Sequence, residues 1–246
     1  MPRTRALISV MRVEIWSDIV CPWCYIGKAR FEQALSGFAH RDEVEVVHRS
    51  FELDAHAEPS GSGVPIAEML SAKYGMPLPR AREAENGVAE AARGEGLEYT
   101  TDRVTGNTFD QHRLLHLAKA RGRQSEAVDA FYRANFAEAV PVNDIEGTVA
   151  AAVQAGLDEA EVRAVLADPD AYAEDVRADE REAASLGASG VPFFVIDRAY
   201  GLSGAQPAET FTKALETAWA ASRPSLVTLG GAADECGDDG CAVPGA

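Results

Sequence analysis

The chain has 246 residues, 46% of them apolar, enough to bury a sizeable core in one large domain or in a domain carrying an insertion. Its formal net charge of -16, with no concentrated basic stripe, argues against nucleic acid or an anionic membrane surface as a partner. No apolar run reaches membrane-spanning length, and residues 6–11 are too short for a secretory core, so a cytoplasmic protein is expected, with Met11 a natural start for the fold.

Residues 11–16 are rich in β-branched and apolar side chains and read as a short buried strand. Next comes Val20-Cys21-Pro22-Trp23-Cys24-Tyr25, and residues 22–35 continue with helical spacing of Ile26, Phe31 and Leu35. Pro22 suits the first helical position, where its missing N–H would have no partner anyway. That puts Cys21 at the helix N-cap, where free backbone N–H groups and the positive end of the helix dipole favour a thiolate. Cys21 is therefore the expected nucleophile. Cys24 lies one turn deeper on the same face, less exposed, and is placed to resolve a mixed disulfide. A bare CxxC is also half of a zinc site, but that reading needs a second ligand pair at suitable spacing. Strand, CPxC, helix is a narrower pattern, and it favours redox chemistry with no metal and no cofactor.

Residues 44–51 alternate as a second strand, which makes a βαβ unit with a parallel pair. The polar stretch 54–65, with Pro59, Gly61 and Gly63, reads as an exit into another part of the fold. From there to Gly187 the pattern is helical. Residues 84–93 form a short amphipathic segment weakened by Gly87. Residues 108–119 open on a capping box of Thr108 and Gln111 and stop near Gly122. Residues 125–139 run as one helix to Pro141; residues 144–156 and 158–167 follow with acidic caps; residues 172–186 form a charged helix closed by Gly187. The acidic run from Asp175 to Glu182 reads as a solvated face.

Residues 191–197 return to strand, Arg198-Ala199 turns, and residues 200–204 complete a hairpin. Residues 207–221 close with a helix bearing Phe211, Leu215 and Trp219 on one face. The expected architecture is α/β: a thioredoxin plan of βαβ (11–58), a large all-helical insertion acting as a lid (59–187), ββα (188–223) and a flexible tail (224–246).

Three blocks carry a resemblance. Val13-Glu14-Ile15-Trp16-Ser17-Asp18 leading into Cys21-Pro22-Trp23-Cys24-Tyr25-Ile26-Gly27 is the first. Asn107-Thr108-Phe109-Asp110-Gln111-His112-Arg113-Leu114 is the second, and Ser189-Gly190-Val191-Pro192-Phe193-Phe194-Val195-Ile196-Asp197 with Gly204-Ala205-Gln206 the third. Together they resemble the DsbA-like thioredoxin-fold family, most closely its FrnE-type disulfide oxidoreductases and isomerases. The resemblance implies a nucleophile at Cys21, a resolving thiol at Cys24, a cis peptide at Val191–Pro192, and substrate contacts from Pro22, Trp23, Val191 and Pro192. Since an arbitrary X–Pro bond is cis only about 5% of the time, the cis expectation rests on the resemblance. It also puts His112 and Arg113 near the substrate groove. His112 and His116 are one turn apart, but no carboxylate or cysteine is placed in sequence to complete a metal set with them.

The tail changes composition, with Gly230-Gly231 and then Asp234-Glu235-Cys236-Gly237-Asp238-Asp239-Gly240-Cys241. Cys236 and Cys241 can close a small ring and are expected to exchange electrons with Cys21 and Cys24; a zinc-type site or idle thiols are the rival readings. Expected partners are protein or small-molecule thiols and disulfides, with thioredoxin or a low-molecular-weight thiol as reductant. The kappa-type transferases and 2-hydroxychromene-2-carboxylate isomerases resemble the same plan but place serine where Cys21 stands, so two cysteines count against that alternative. A peptide-binding chaperone, using the groove more than the thiols, is the third reading.

Overall fold

Alternate side chains of β1 (Met11–Ser17) enter two different apolar layers, and the molecule is organised around that division. The structure is a computed structural model and describes residues 10–57 and 63–223. β1 pairs in parallel with β2 (Val44–Ser50), Met11 opposite Val44, through a crossover that contains α1 (Pro22–Gly37). On its other edge β1 pairs antiparallel with β5 (Phe193–Ile196), which forms a hairpin with β6 (Tyr200–Ser203), giving the order β2-β1-β5-β6. Met11, Val13 and Ile15 face one way and pack with Phe31 of α1, Phe194, and Phe211 and Leu215 of α9 (Ala208–Ser222). Trp16, Phe193 and Val195 face the other way, against Ala183 of α8 (Ala173–Ser185). The hairpin turn places Asp197 and Arg198 at positive φ, 47° and 57°. Asp197 is secured there because Arg12 N–H donates to its carboxylate at 2.7 Å while its own N–H donates to the Arg12 carbonyl at 2.8 Å.

The insertion is helical, as expected, apart from a small ribbon pairing β3 (Val64–Pro65) with β4 (Val104–Thr105). It contains α2 (Ile66–Tyr74), α3 (Leu78–Gly94), α4 (Phe109–Ala120), α5 (Gln124–Tyr132), α6 (Ile145–Gln154) and α7 (Glu159–Ala167) before α8. The acidic caps form: Asp144 accepts from Glu146 N–H at 3.1 Å and Asp158 from Glu161 N–H at 3.0 Å. Four expectations change. α3 starts earlier than residue 84, because Pro79 in its first turn supplies a φ already suited to a helix. The helix expected over 125–139 divides, α5 ending at Tyr132 and a π-helical turn (Arg133–Ala137) following. The Thr108–Gln111 capping box does not form; Gln111 is buried and donates to the Val142 carbonyl at 2.6 Å and to Thr148 Oγ1 at 2.9 Å. The acidic face of α8 is not all solvated, since Asp179 is 2% exposed and bonds Arg49 at 2.8 Å and Ser50 N–H at 2.9 Å.

Candidate active site

β1 ends at Ser17, and Asp18, Ile19 and Val20 turn the chain into α1. Cys21 N–H donates to the Asp18 carbonyl at 3.1 Å, and the Cys21 carbonyl accepts from Cys24 and Tyr25 at 3.0 and 3.3 Å, so the first turn of α1 winds directly from the cysteine. Cys21 is the N-cap residue, in extended conformation, with Pro22 at the first helical position. Both cysteines are free thiols, Cys21 4% and Cys24 1% exposed. The Val191–Pro192 bond is cis, and the Val191 carbonyl lies 3.7 Å from Cys21 Sγ. Close approach of that loop to α1 requires Gly27, where a Cβ would stand 3.0 Å from Pro192 Cγ and 3.4 Å from Ala205. Arg30 clamps the same place, donating to the Ala205 carbonyl at 2.7 Å while pairing with Glu95 of the insertion.

A thiol at a helix N-terminus, a second thiol one turn deeper and a proline loop against the first sulfur all lie at one edge of a four-stranded sheet. The family model for the DSBA-like thioredoxin domain matches residues 12–216. The chain belongs to the DsbA-like thioredoxin family. It is 62% identical to a probable DsbA oxidoreductase from Streptomyces coelicolor, with a TM-score of 0.83 over 96% of this chain and 100% of that one. The cytosolic disulfide reductase DsbM from Pseudomonas aeruginosa shares the fold at 18% identity and a TM-score of 0.57, over 84% of this chain and 97% of that one. The uncharacterized protein YwbO of Bacillus subtilis (strain 168) is 27% identical over 158 residues, 63% of this chain and 72% of that protein.

In this DsbA-like protein the floor of the site comes from the insertion. Cys21 and Cys24 share an apolar cluster with Ile19, Ile26, Leu114, Phe131, Tyr132 and Phe136. Tyr25 stacks on Phe136, with centroids 5.0 Å apart, and tilts against Tyr132 at 5.3 Å. Burial pushes the Cys24 thiol well above the ordinary thiol range; its hydrogen bond to the Cys21 sulfur adds to this, while the Asp18 backbone N–H on the Cys24 sulfur opposes it. Burial likewise raises the Tyr132 hydroxyl, with the nearby cysteines adding, although its hydrogen bond with Ser17 pulls the other way.

Of the residues expected at the site, Cys21, Cys24, Pro22, Trp23, Val191 and Pro192 come together; Trp23 is 43% exposed and Pro192 is buried. His112 and Arg113 do not reach the groove. His112 is fully buried behind the Asp18 loop, and Arg113 points away, donating to the carbonyls of Val165 at 2.6 Å, Asp168 at 2.6 Å and Ala171 at 3.2 Å at the end of α7. His112 and His116 each face a separate carboxylate, Asp18 and Asp179, rather than a common centre. Cys236 and Cys241 lie outside the described residues. Sequence reasoning passed over Asp18 and Tyr132 as site residues. Asp18 stood in a quoted block three positions before Cys21, whereas the apolar spacing of Val128, Phe131, Tyr132 and Phe136 concealed the Tyr132 hydroxyl.

Proposed function

We propose that this protein exchanges thiols and disulfides through Cys21 and Cys24. The observation that carries the reading is the Cys21 sulfur at the N-terminus of α1, 3.7 Å from the Val191 carbonyl and directly above a buried second thiol. The Cys21 thiolate attacks one sulfur of a substrate disulfide, forming a mixed disulfide and releasing the first substrate thiolate. Cys24 then attacks Cys21, forms the Cys21–Cys24 disulfide and displaces the second substrate thiolate. The protein has then given two electrons to the substrate. Oxidation of a dithiol runs the same steps backwards. The backbone at Val191 offers an extended substrate a pairing edge beside the sulfur, and Trp23 with Pro22 supplies apolar contact.

Direction follows from compartment. In a reducing cytosol near -250 mV, a couple near -120 mV is held reduced by several kcal/mol, since 30 mV corresponds to about 1.4 kcal/mol. Reduction or isomerisation is then the work of the protein, in the manner of the FrnE-type enzymes, with thioredoxin or a low-molecular-weight thiol restoring the dithiol. Cys236 and Cys241 serve as a second pair that trades electrons with the first.

The test is insulin reduction with trapping. Cys21→Ser abolishes turnover, and Cys24→Ser accumulates a Cys21 mixed disulfide with substrate. Turnover surviving in Cys21→Ser ends the proposal. A Cys24→Ser protein that never forms a bond between Cys21 and Cys236 or Cys241 removes the tail pair from the scheme and leaves the Cys21–Cys24 cycle standing.

A further inference from the structure

Behind the dithiol lies a buried acid–base pair to which the exchange cycle gives no task. His112 of α4 is 0% exposed, and neither ring nitrogen has a hydrogen-bond partner. Burying unsatisfied polar atoms is costly, so a ring held this way is a liability for stability and points to another use. His112 Nε2 faces Asp18 Oδ1 at 3.5 Å, and Asp18 is itself 1% exposed. Asp18 belongs to the loop between β1 and α1, and its backbone N–H reaches the Cys24 sulfur. Its Oδ2 accepts from Leu53 N–H at 2.6 Å, which brings the neighbouring Glu52 to the same interior. Glu52 Oε1 is buried without a partner, whereas Oε2 takes Arg177, a side chain 39% exposed. A line of ionisable side chains thus leads from the dithiol through Asp18, His112 and Glu52 to the surface at Arg177. Tyr132 and Ser17 flank its inner end, and Glu180, which pairs with Arg177 at 2.8 Å, flanks its outer end.

We propose that the Asp18–His112 pair receives the proton of Cys24 in the resolving step and passes it outward through Glu52. The proposal rests on the dithiol reading above. When Cys24 attacks the mixed disulfide, its S–H bond breaks, the Cys21–Cys24 bond forms and the bond from Cys21 to the substrate sulfur breaks. The electron pair of the broken S–S bond leaves with the substrate thiolate, and the Cys24 proton goes to the buried pair and then to solvent. Water has no direct route to a sulfur that is 1% exposed. Burial also holds the thiol in its protonated form, so the step needs an acceptor. At the outer end burial pushes the Glu52 carboxyl up, against the pull of Arg177 and His112, which suits it to carry a proton in transit. Asp18 and His112 act as positioning and relay residues and never meet the substrate.

The experiment is a single turnover of the reduced full-length protein with a chromogenic aryl disulfide. The first thiolate reports attack by Cys21, and the second reports resolution by Cys24. His112→Phe and Asp18→Asn are expected to leave the first release unchanged and slow the second by about 100-fold, the lower end of what general-base assistance contributes. The double variant should be no slower than either single one, because the pair acts as a unit. An unchanged second release in folded variants overturns the proposal, as does equal slowing of both releases, which marks a structural role. Absence of the first release in the wild-type protein refutes the dithiol reading instead. If far-UV circular dichroism shows that the two variants do not fold, Glu52→Gln decides: slowing confined to the second release supports the relay, and an unchanged rate overturns it.

Discussion

His48 should make this protein lose stability in mild acid. The residue lies in β2, 5% exposed, with Nδ1 buried and unpartnered, while the Gln124 side chain occupies its backbone, accepting from His48 N–H at 3.1 Å and donating to its carbonyl at 2.9 Å. Burial, and then the charge of Lys28, lowers its pKa from 6.5 to about 3. In the unfolded chain the imidazole takes up a proton as pH falls through about 6.5, whereas the folded protein does not until about pH 3. Across that window the unfolded state binds more protons, so stability falls with pH by up to about 1.4 kcal/mol per unit. Between about pH 7.5 and pH 5 the loss from this one group comes to about 2 kcal/mol. Urea unfolding of the wild type and of His48→Gln at both pH values isolates it, because carboxylates and the other histidines contribute to both proteins. The wild type should lose about 2 kcal/mol more than the variant. Equal losses would refute the reasoning and mean that the folded protein admits the proton.

Three further substitutions test the framework. Asp179→Ala leaves Arg49, His116 and the Ser50 N–H without their shared partner and should cost about 3–5 kcal/mol by calorimetry. Burial works against the Asp179 charge, but His116, the Ser50 N–H and Arg49 outweigh it and hold the carboxyl below its usual value, so its contribution is present above about pH 4 and disappears below, a component the variant should lack. Arg113→Ala strips three carbonyls at the end of α7 of a buried donor and should cost at least about 2 kcal/mol, with amide exchange rising first near residues 165–171. Gly27→Ala forces Pro192 and Ala205 off α1; it should cost about 1–3 kcal/mol in urea and, by moving the Val191 carbonyl, slow the attack step in stopped flow.

What could be read from the sequence was local. Pro22 marks the start of α1, and that fixes Cys21 at its N-cap without any knowledge of the tertiary fold. The four strands of the main sheet follow from runs of β-branched and aromatic residues. Long-range polar choices were not readable. Nothing near Asp179 distinguishes it from Asp175 in sequence; its burial is decided by Arg49, 130 residues away. Gln111 has the spacing of a capping partner, yet the Val142 carbonyl captures it. α2 escaped notice because only Ile66 along it is buried, which leaves no apolar stripe to detect. His112 and Arg113 were grouped by adjacency, but neighbours on a helix point about 100° apart, and here one meets Asp18 and the other the end of α7.

These misread side chains share a geometry that bears on the dithiol. Asp179 holds Ser50 and Arg49 of β2, Gln124 holds His48, Asp129 takes Lys28 of α1 at 2.6 Å, Asn135 donates to the Ile19 carbonyl at 3.1 Å, and His112 faces Asp18. Each links the helical insertion to the strand-and-helix half that carries the cysteines. Apolar packing tolerates repacking and small slides when volume is conserved, but a directional polar pair is lost by a shift of one helical turn. Two of the five contacts fall on Asp18 and Ile19, immediately before Cys21. The insertion is therefore part of the frame that holds the nucleophile's loop, not only a cover laid over it. The position of Cys21 against Val191 depends as much on α4 and on the turn after α5 as on the helix that begins at Pro22.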